Sequence, residues 1–355
     1  MRRIVFLAIL VAVTISGSVK WSPVQSATHA GDVLGLLPDG YAVVIVDFQK
    51  IAASSLWAAI NTQEKFKSAI DKVESEMEDV GVKLSDVHTL ALVFPNSSMS
   101  DPTIAVTGAF DQTALLARLK TNGKVKLTSE KYRNYDILKA TPIPTDGSKK
   151  ERTGGKSGAN TAIPQDTLQR EKLIITAASN HETSFVFHDA TTVVIGSPET
   201  VRASIDVATG ARQSITRNGR LTEALAQNPA AAIRFALAIT PAMTSKLQSN
   251  EIPLPDFSSV GLVFGTIDVG SGIDLSVTLR SDTAEHAKSM AERLNGLLGM
   301  AKGFLGAMVD PKIAQIGEAL KTVSINSADV DVRITGSLPL DLLTSLLSSA
   351  AKKVQ

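Results

Sequence analysis

The sequence predicts an α+β fold of two similar modules, each an antiparallel sheet backed by helices, related by internal duplication. Three observations predict it. Strand-like runs come in neighbouring pairs separated by helical segments, so that each half reads strand, helix, two strands, helix, two strands, helix. Paired strands of this kind argue against an all-parallel sheet, whose strands need long crossovers. Ile273, Leu275, Val277 and Leu279 alternate with Asp274, Ser276, Thr278 and Arg280, and Val330, Val332 and Ile334 alternate with Asp329, Asp331, Arg333 and Thr335. That period of two expects one buried and one wet face. Finally, short strings recur. Val106-Thr107 returns as Val277-Thr278, 171 positions on, and Leu92-Val93-Phe94 returns as Leu262-Val263-Phe264, 170 on. Gly196-Ser197 returns as Gly336-Ser337, only 140 on, and residues 141–170 are a Pro-, Gly-, Lys- and Ser-rich insert that accounts for the 30-residue difference. Self-similarity of this kind marks an architecture of equivalent parts.

In chain order, residues 1–30 read as a signal peptide, 31–210 as the first module with a disordered insert at 141–170, 211–227 as a connector and 228–355 as the second module. The first module opens after Leu36-Leu37-Pro38-Asp39-Gly40 with Tyr41–Val46, a continuous apolar, β-branched run that expects cover on both faces. Ala52–Ile60 reads as a short helix. A second helix begins at Thr62, and Phe66, Ile70, Val73, Met77 and Val80 share one of its faces, with Glu74, Glu76 and Asp79 on a solvated surface. Strands at 89–94 and 103–109 lead to a helix at 112–120 capped by Asp111, and further strands are expected at 135–138, 174–175, 184–187 and 192–195. Ser197-Pro198-Glu199 offers a cap, a proline at the first helical position and an acid at the positive helix end, and Gly210 stops that helix. The second module places strands at 231–239, 260–267 and 273–279, a short helix capped by Thr240-Pro241, a long helix opened by a capping box of Asp282 and Glu285, and a closing helix at 340–350.

Met1-Arg2-Arg3, an apolar run from Ile4 to Ile15 and the small residues Ser16, Gly17 and Ser18 have the layout of a secretory signal. The run is shorter than the roughly 20 residues of a membrane span, so no stable transmembrane anchor is expected after cleavage. The protein is expected in the periplasm or outside the cell. Cysteine is absent, which excludes disulfides, thiolate metal sites and an acylated lipoprotein terminus. Loss of Arg2, Arg3 and Lys20 from 36 basic side chains leaves 33 against 35 acidic ones. With no basic stripe, nucleic-acid binding lacks its electrostatic footing. Two Trp and three Tyr are too few for sugar or base platforms.

The sequence nominates no catalytic, cofactor-binding or metal-binding residue. Thr153-Gly154-Gly155-Lys156-Ser157 resembles the end of a phosphate loop, but Lys150 stands where its first glycine belongs, and a linker is the better reading. Ser349-Ala350-Ala351-Lys352 has a Ser-x-x-Lys spacing without the companion elements of penicillin-recognising enzymes. His181 and His188 have opposite parity along one strand and face apart. Asp329 and Asp331 share a face with Arg333, which neutralises them. The remaining feature is an apolar helical stretch punctuated by Gly296, Gly299, Gly303 and Gly306 among Leu297, Leu298, Met300, Phe304, Leu305 and Met308. Each glycine costs a helix about 1 kcal/mol against alanine. Tight packing on the module's own sheet is the simpler expectation, and a groove for a lipid-like ligand or a protein partner is the functional one.

The opening Leu36–Asp39, the strand Tyr41–Asp47 and the pair Ser184–Asp189 and Thr192–Ser197 resemble a loose group of exported bacterial proteins with a duplicated α+β module and no established activity. The resemblance implies export and the repeat architecture and brings no catalytic residue. The reading is an exported, non-enzymatic envelope protein that binds a partner or an apolar ligand. An envelope hydrolase with a dispersed site and a purely structural envelope component are the alternatives. Intact-mass measurement on protein from its native host should show residues near 1–30 removed. Retention of Met1 in a membrane pellet would instead indicate an anchor.

Overall fold

A computed structural model describes residues 33–62, 81–121, 125–143, 183–248, 257–306 and 311–343, with the single positions 67, 71, 74, 75, 77, 78 and 123. The expected signal segment, nearly all of the insert, the strand at 174–175 and most of the closing helix lie outside these residues. So do Phe66, Ile70, Val73 and Val80.

The strands form one twelve-stranded antiparallel sheet. In chain order they are β1 (Ala42–Asp47), β2 (Val87–Phe94), β3 (Thr103–Gly108), β4 (Val125–Tyr132), β5 (Tyr135–Pro142), β6 (Thr183–Phe187), β7 (Thr192–Gly196), β8 (Ile233–Ala238), β9 (Val260–Val269), β10 (Gly272–Ser281), β11 (Ser324–Ala328) and β12 (Asp331–Pro339). Their spatial order is β11-β12-β10-β9-β8-β1-β2-β3-β7-β6-β5-β4. Counting outward from the central β1–β8 pair, the first half runs β1, β2, β3, β7, β6 and the second runs β8, β9, β10, β12, β11. The hairpin β4–β5 extends the first half alone. The recurring strings fall on corresponding strands, Leu92–Phe94 on β2 and Leu262–Phe264 on β9, Val106-Thr107 on β3 and Val277-Thr278 on β10.

Residues paired across an antiparallel ladder share a face. Register pairs trace one row through all twelve strands: Ser129, Leu138, Phe185, Ile195, Ile104, Leu92, Val44, Phe235, Gly265, Val277, Ile334 and Ile325. All but Ser129 and Gly265 are large apolar residues. On the first half this face is covered by α1 (Phe48–Ala52) and α2 (Ser55–Asn61), whose Phe48, Ile51 and Trp57 pack with Val46, Val106, Val193 and Ile233. The helix expected at 52–60 is α2, which starts only at Ser55, while α1, which meets the expected range at Ala52 alone, was not foreseen. Ser54 caps α2 by accepting from the Trp57 amide. A third helix, α3 (Gln112–Thr121), starts as expected at Asp111, which accepts from the Ala114 amide at 2.9 Å.

The opposite face is covered over the centre and the first half. Val33, Leu34 and Leu37, Val201 and Ile205 of α4 (Pro198–Ala208) and Leu221 and Leu225 of α5 (Gly219–Leu225) pack there on Val43, Ile45, Val93, Val194, Ala236 and Phe264. β1 is therefore buried from both sides, as its unbroken apolar run expects. The segment read as a connector holds Ile215 and Leu221 at 0% exposure and belongs to this core. Ser197 caps α4 and Gly210, at φ +75°, ends it, both as expected. Beyond Phe264 the same face turns polar. Arg234, Thr266, Ser276, Thr335 and Ser324 follow one another across β8 to β11, and the Ser324 and Thr335 hydroxyls are 2.8 Å apart. The wet face expected of the second module is this one, except that Thr278 on it is buried and Leu275 on the apolar face is 39% exposed.

Other details differ from expectation. β4 and β11 were not foreseen, and β5 runs to Pro142, two residues into the expected insert. Glu74 is half-buried, and burial, followed by Asp71 and Glu78, holds its carboxyl above the usual range. Asp331 forms a two-bond fork with Arg280 of β10, at 2.8 and 2.9 Å, rather than pairing along its own strand. Asp329 sits in the β11–β12 turn at φ +50°.

Gly265 lets the apolar row close. A Cβ there would stand 2.1 Å from the Ser276 carbonyl oxygen and 2.8 Å from the Phe235 ring. Gly265→Ala should destabilise the fold by about 1–3 kcal/mol, as overpacked sites do. Chemical denaturation should show a lower midpoint. An unchanged midpoint would mean that Phe235 does not lie across this glycine.

Candidate functional site

The second module's apolar face is covered by a helical hairpin, α7 (Ala284–Gly306) and α8 (Pro311–Lys321). They follow α6 (Pro241–Gln248). Thr283, not the expected Asp282, caps α7, its hydroxyl accepting from the His286 amide at 3.2 Å. Asp282 instead contacts the His286 ring nitrogen Nδ1 at 2.7 Å, a contact that lowers its carboxyl pKa.

The first half of α7 is anchored. Ala287, Met290 and Ala291 are buried against Val260, Leu279 and Val332. Further along, Asn295 donates to the Ile325 carbonyl at 3.0 Å and the Lys302 ammonium donates to the Val323 carbonyl at 3.3 Å. Leu297, Leu298, Ala301 and Leu305 continue the inward stripe, half-buried. α8 crosses α7 where Gly317 faces Leu305; an added Cβ on Gly317 would lie 3.8 Å from the Leu305 Cβ.

The outward stripe is the unusual one. At 100° per residue, Gly296, Gly299, Met300 and Gly303 lie opposite the buried stripe, with Phe304 at its flank. Met300 and Phe304 are each 65% exposed, and Ile316 of α8 is 46% exposed. Among the described residues, a Cβ added at Gly296, Gly299, Gly303 or Gly306 would meet nothing within 4 Å. The expectation that these glycines pack tightly on the module's own sheet is therefore overturned. They face open space. Between Arg293 and Gly306 the only charge is Lys302, and it is turned to a backbone carbonyl. What the arrangement offers water is apolar side chains and bare glycine, surface whose removal from water would be favourable.

Elsewhere the side chains singled out in the sequence serve the fold. His188 stacks on Tyr135 with ring centroids 5.7 Å apart, and Asp189 accepts from the amide and hydroxyl of Thr191. His181, the phosphate-loop-like string and Ser349–Lys352 lie outside the described residues. Among the described residues no three His, Cys, Asp or Glu side chains gather as metal ligands, and no helix is long and apolar enough to cross a membrane.

A second polar cluster fastens the β4–β5 hairpin to α4. The guanidinium groups of Arg133 and Arg202 stand 5.8 and 5.7 Å from the centroid of the Tyr132 ring, and its hydroxyl donates to Asp206 at 3.1 Å. Glu130 accepts from Lys139 and Arg202, which together hold its carboxyl below its ordinary value of 4.5. A depressed folded-state pKa adds stability above the unfolded value, and that stability is lost as pH falls through the folded one. Glu130→Gln should therefore lower Tm at neutral pH, and the gap to the parent should close as the buffer is taken well below pH 4.5. A gap that persists in acid would show that packing, not charge, holds the hairpin.

No protein-family model matches the chain, and no curated protein matches it in sequence. Crystal forms I and IV of TP0453 are similar to it at 10% identity and a TM-score of 0.43, covering 90% and 89% of this chain and 97% and 96% of theirs. That likeness carries no argument here.

Proposed function

We propose that this chain is an exported, non-enzymatic envelope protein whose α7–α8 hairpin binds an apolar partner or ligand, and that its two halves arose by duplication. The observation that carries the binding role is the concentration of Met300, Phe304 and Ile316 on one hairpin. They are three of the six large apolar side chains that stand exposed among the described residues. Single exposed apolar residues are common, but several gathered on one hairpin mark a docking place. The stripe is also free of charge, so recognition there rests on apolar area and shape. Export is supported by the layout of the first 18 residues, and the duplicated origin by the matched strand order and recurring strings.

The stripe can be tested directly. A double variant, Met300→Glu with Phe304→Glu, should fold with a Tm close to the parent's, because exposed substitutions usually change stability by no more than about 0.5 kcal/mol. Titration with the fluorescent apolar probe anilinonaphthalene sulfonate should show binding to the parent that the variant loses. Equal probe binding by both proteins, with both folded, would remove the hairpin as the binding surface.

A further inference from the structure

We propose that Asn295 and Lys302 of α7 guard the open edge of the sheet and keep β11 from pairing with the same strand of another copy of this chain. Both side chains reach toward the sheet, so this role is independent of the outward stripe. β11 and β4 are the two edge strands. An edge presents a row of unpaired amides and carbonyls, a template for another chain, and proteins ordinarily blunt it with charge, proline or a bulge. β4 does so with Lys126, Glu130 and Lys131. β11 is Ser-Ile-Asn-Ser-Ala, without charge or proline, and it pairs with β12 in unbroken register. Two copies brought together along it would meet no repulsion from its own side chains.

The turn fixes which backbone groups of β11 face outward. Only Asp329 and Val330 separate Ala328 from Asp331, so those two residues close the hairpin as a hydrogen-bonded pair. Bonded and open pairs alternate along an antiparallel ladder. Asn326 and Ser324 therefore bond to β12, while Ser327, Ile325 and Val323 turn their backbone groups to the free edge. Two of those outward carbonyls are the ones that α7 takes. The Asn295 carboxamide donates to the Ile325 carbonyl at 3.0 Å, and the Lys302 ammonium donates to the Val323 carbonyl at 3.3 Å. The Val323 amide is taken as well, donating to the Leu320 carbonyl at 3.1 Å. The two side chains thus stand where a further strand would have to lie, about 4.8 Å from β11. They are 302 − 295 = 7 positions apart, about two helical turns, and so share one flank of α7. Lys302 is also the only charge between Arg293 and Gly306. The strand edge accounts for a lysine on so apolar a stretch that turns to a backbone carbonyl instead of to water.

The quantity to measure is the concentration at which folded protein begins to associate, followed by sedimentation velocity with circular dichroism as the check on folding. Asn295→Ala combined with Lys302→Met should associate at a concentration about tenfold below the parent's, because both outward carbonyls are then open to another strand. Asn295→Ala alone removes no charge and serves if the double variant does not fold; it should lower the threshold about threefold by the same route. Lys321→Met removes one charge from α8, where Lys321 pairs with Glu318 and is 67% exposed, and should leave the threshold where it is. Ser327→Lys added to the double variant puts a charge on the edge itself and should restore the parent's threshold. The same charge added at Ser271, exposed in the β9–β10 turn, should not restore it. A folded Asn295 variant that associates no sooner than the parent would overturn the guard. So would an equal effect of Lys321→Met, which would make charge alone the cause, or equal restoration by both added lysines, which would remove β11 as the place of contact.

Discussion

The pairing of β1 with β8 is the contact on which the rest of the molecule depends. Five register pairs, Ala42 with Leu237 through Val46 with Ile233, join strands that begin nearly 200 residues apart. Backbone bonds from Asp47 to Ala232 and from Ala238 to Tyr41 extend the ladder at both ends. Without it each half would end in an apolar edge strand with unpaired amides and carbonyls, an invitation to aggregate. With it the apolar row from Leu138 to Ile325 is continuous, and the strands nearest the middle are buried on both sides. A contact this distant in sequence must close a long loop before it contributes stability. Ile215 and Leu221, in the segment that bridges the halves, pack into the same core and help hold that closure.

The cover of the sheet explains where a binding surface can arise. Over the first half, helices and residues 33–37 occupy both faces, and little large apolar surface remains exposed there among the described residues. Past Leu262 and Phe264, which α5 covers, this face of β9 to β12 becomes a ladder of hydroxyls and charges, and the long helical hairpin goes to the other face. α7 is 23 residues long, about 35 Å at the standard rise, which is more than four strands at about 4.8 Å spacing require. Its first half is fixed by Ala287, Met290 and Ala291, and its second half is held along one side by Asn295, Lys302 and Leu305. The side facing away from the sheet is then left with glycine, methionine and phenylalanine, where a surface helix ordinarily carries charge. The long helix that completes the second core is thus also the element that presents the stripe.

Much of this was legible in the sequence because burial leaves a period. The unbroken run Tyr41–Val46 announced a strand covered twice, the alternation at 273–279 and 330–334 announced sheets with one wet face, and Ser197-Pro198 with Gly210 bracketed a helix to within a residue. The two outermost strands were missed for the converse reason. β4 (Val-Lys-Leu-Thr-Ser-Glu-Lys-Tyr) and β11 (Ser-Ile-Asn-Ser-Ala) lie at the sheet edges with no fully buried residue, and only Leu127, Tyr132 and Ile325 touch the core, too few to leave a period. The joining of both modules into a single sheet was invisible because no local pattern encodes a β1–β8 contact. The candidate site was half legible. Its residues were singled out, but an all-round apolar helix was read as a buried one, and only its placement past the core shows that Met300 and Gly303 turn outward. Ile316 carried no signal of exposure, since it sits on an apolar stripe like any packed helix.

If the β1–β8 ladder makes one cooperative unit of the two halves, damage in one half must be felt in the other. With residues 1–30 removed, Trp57 is the only tryptophan and reports on the first half alone. Leu279 lies in the second half, buried beneath α7. Urea unfolding of Leu279→Ala, followed by Trp57 fluorescence and by far-ultraviolet circular dichroism, decides the matter. One sheet predicts coincident curves from both probes, with the Trp57 midpoint lowered by an amount equivalent to about 2–5 kcal/mol. A Trp57 transition left where it is in the parent, with the dichroism curve splitting into two steps, would show two independent halves and contradict the account.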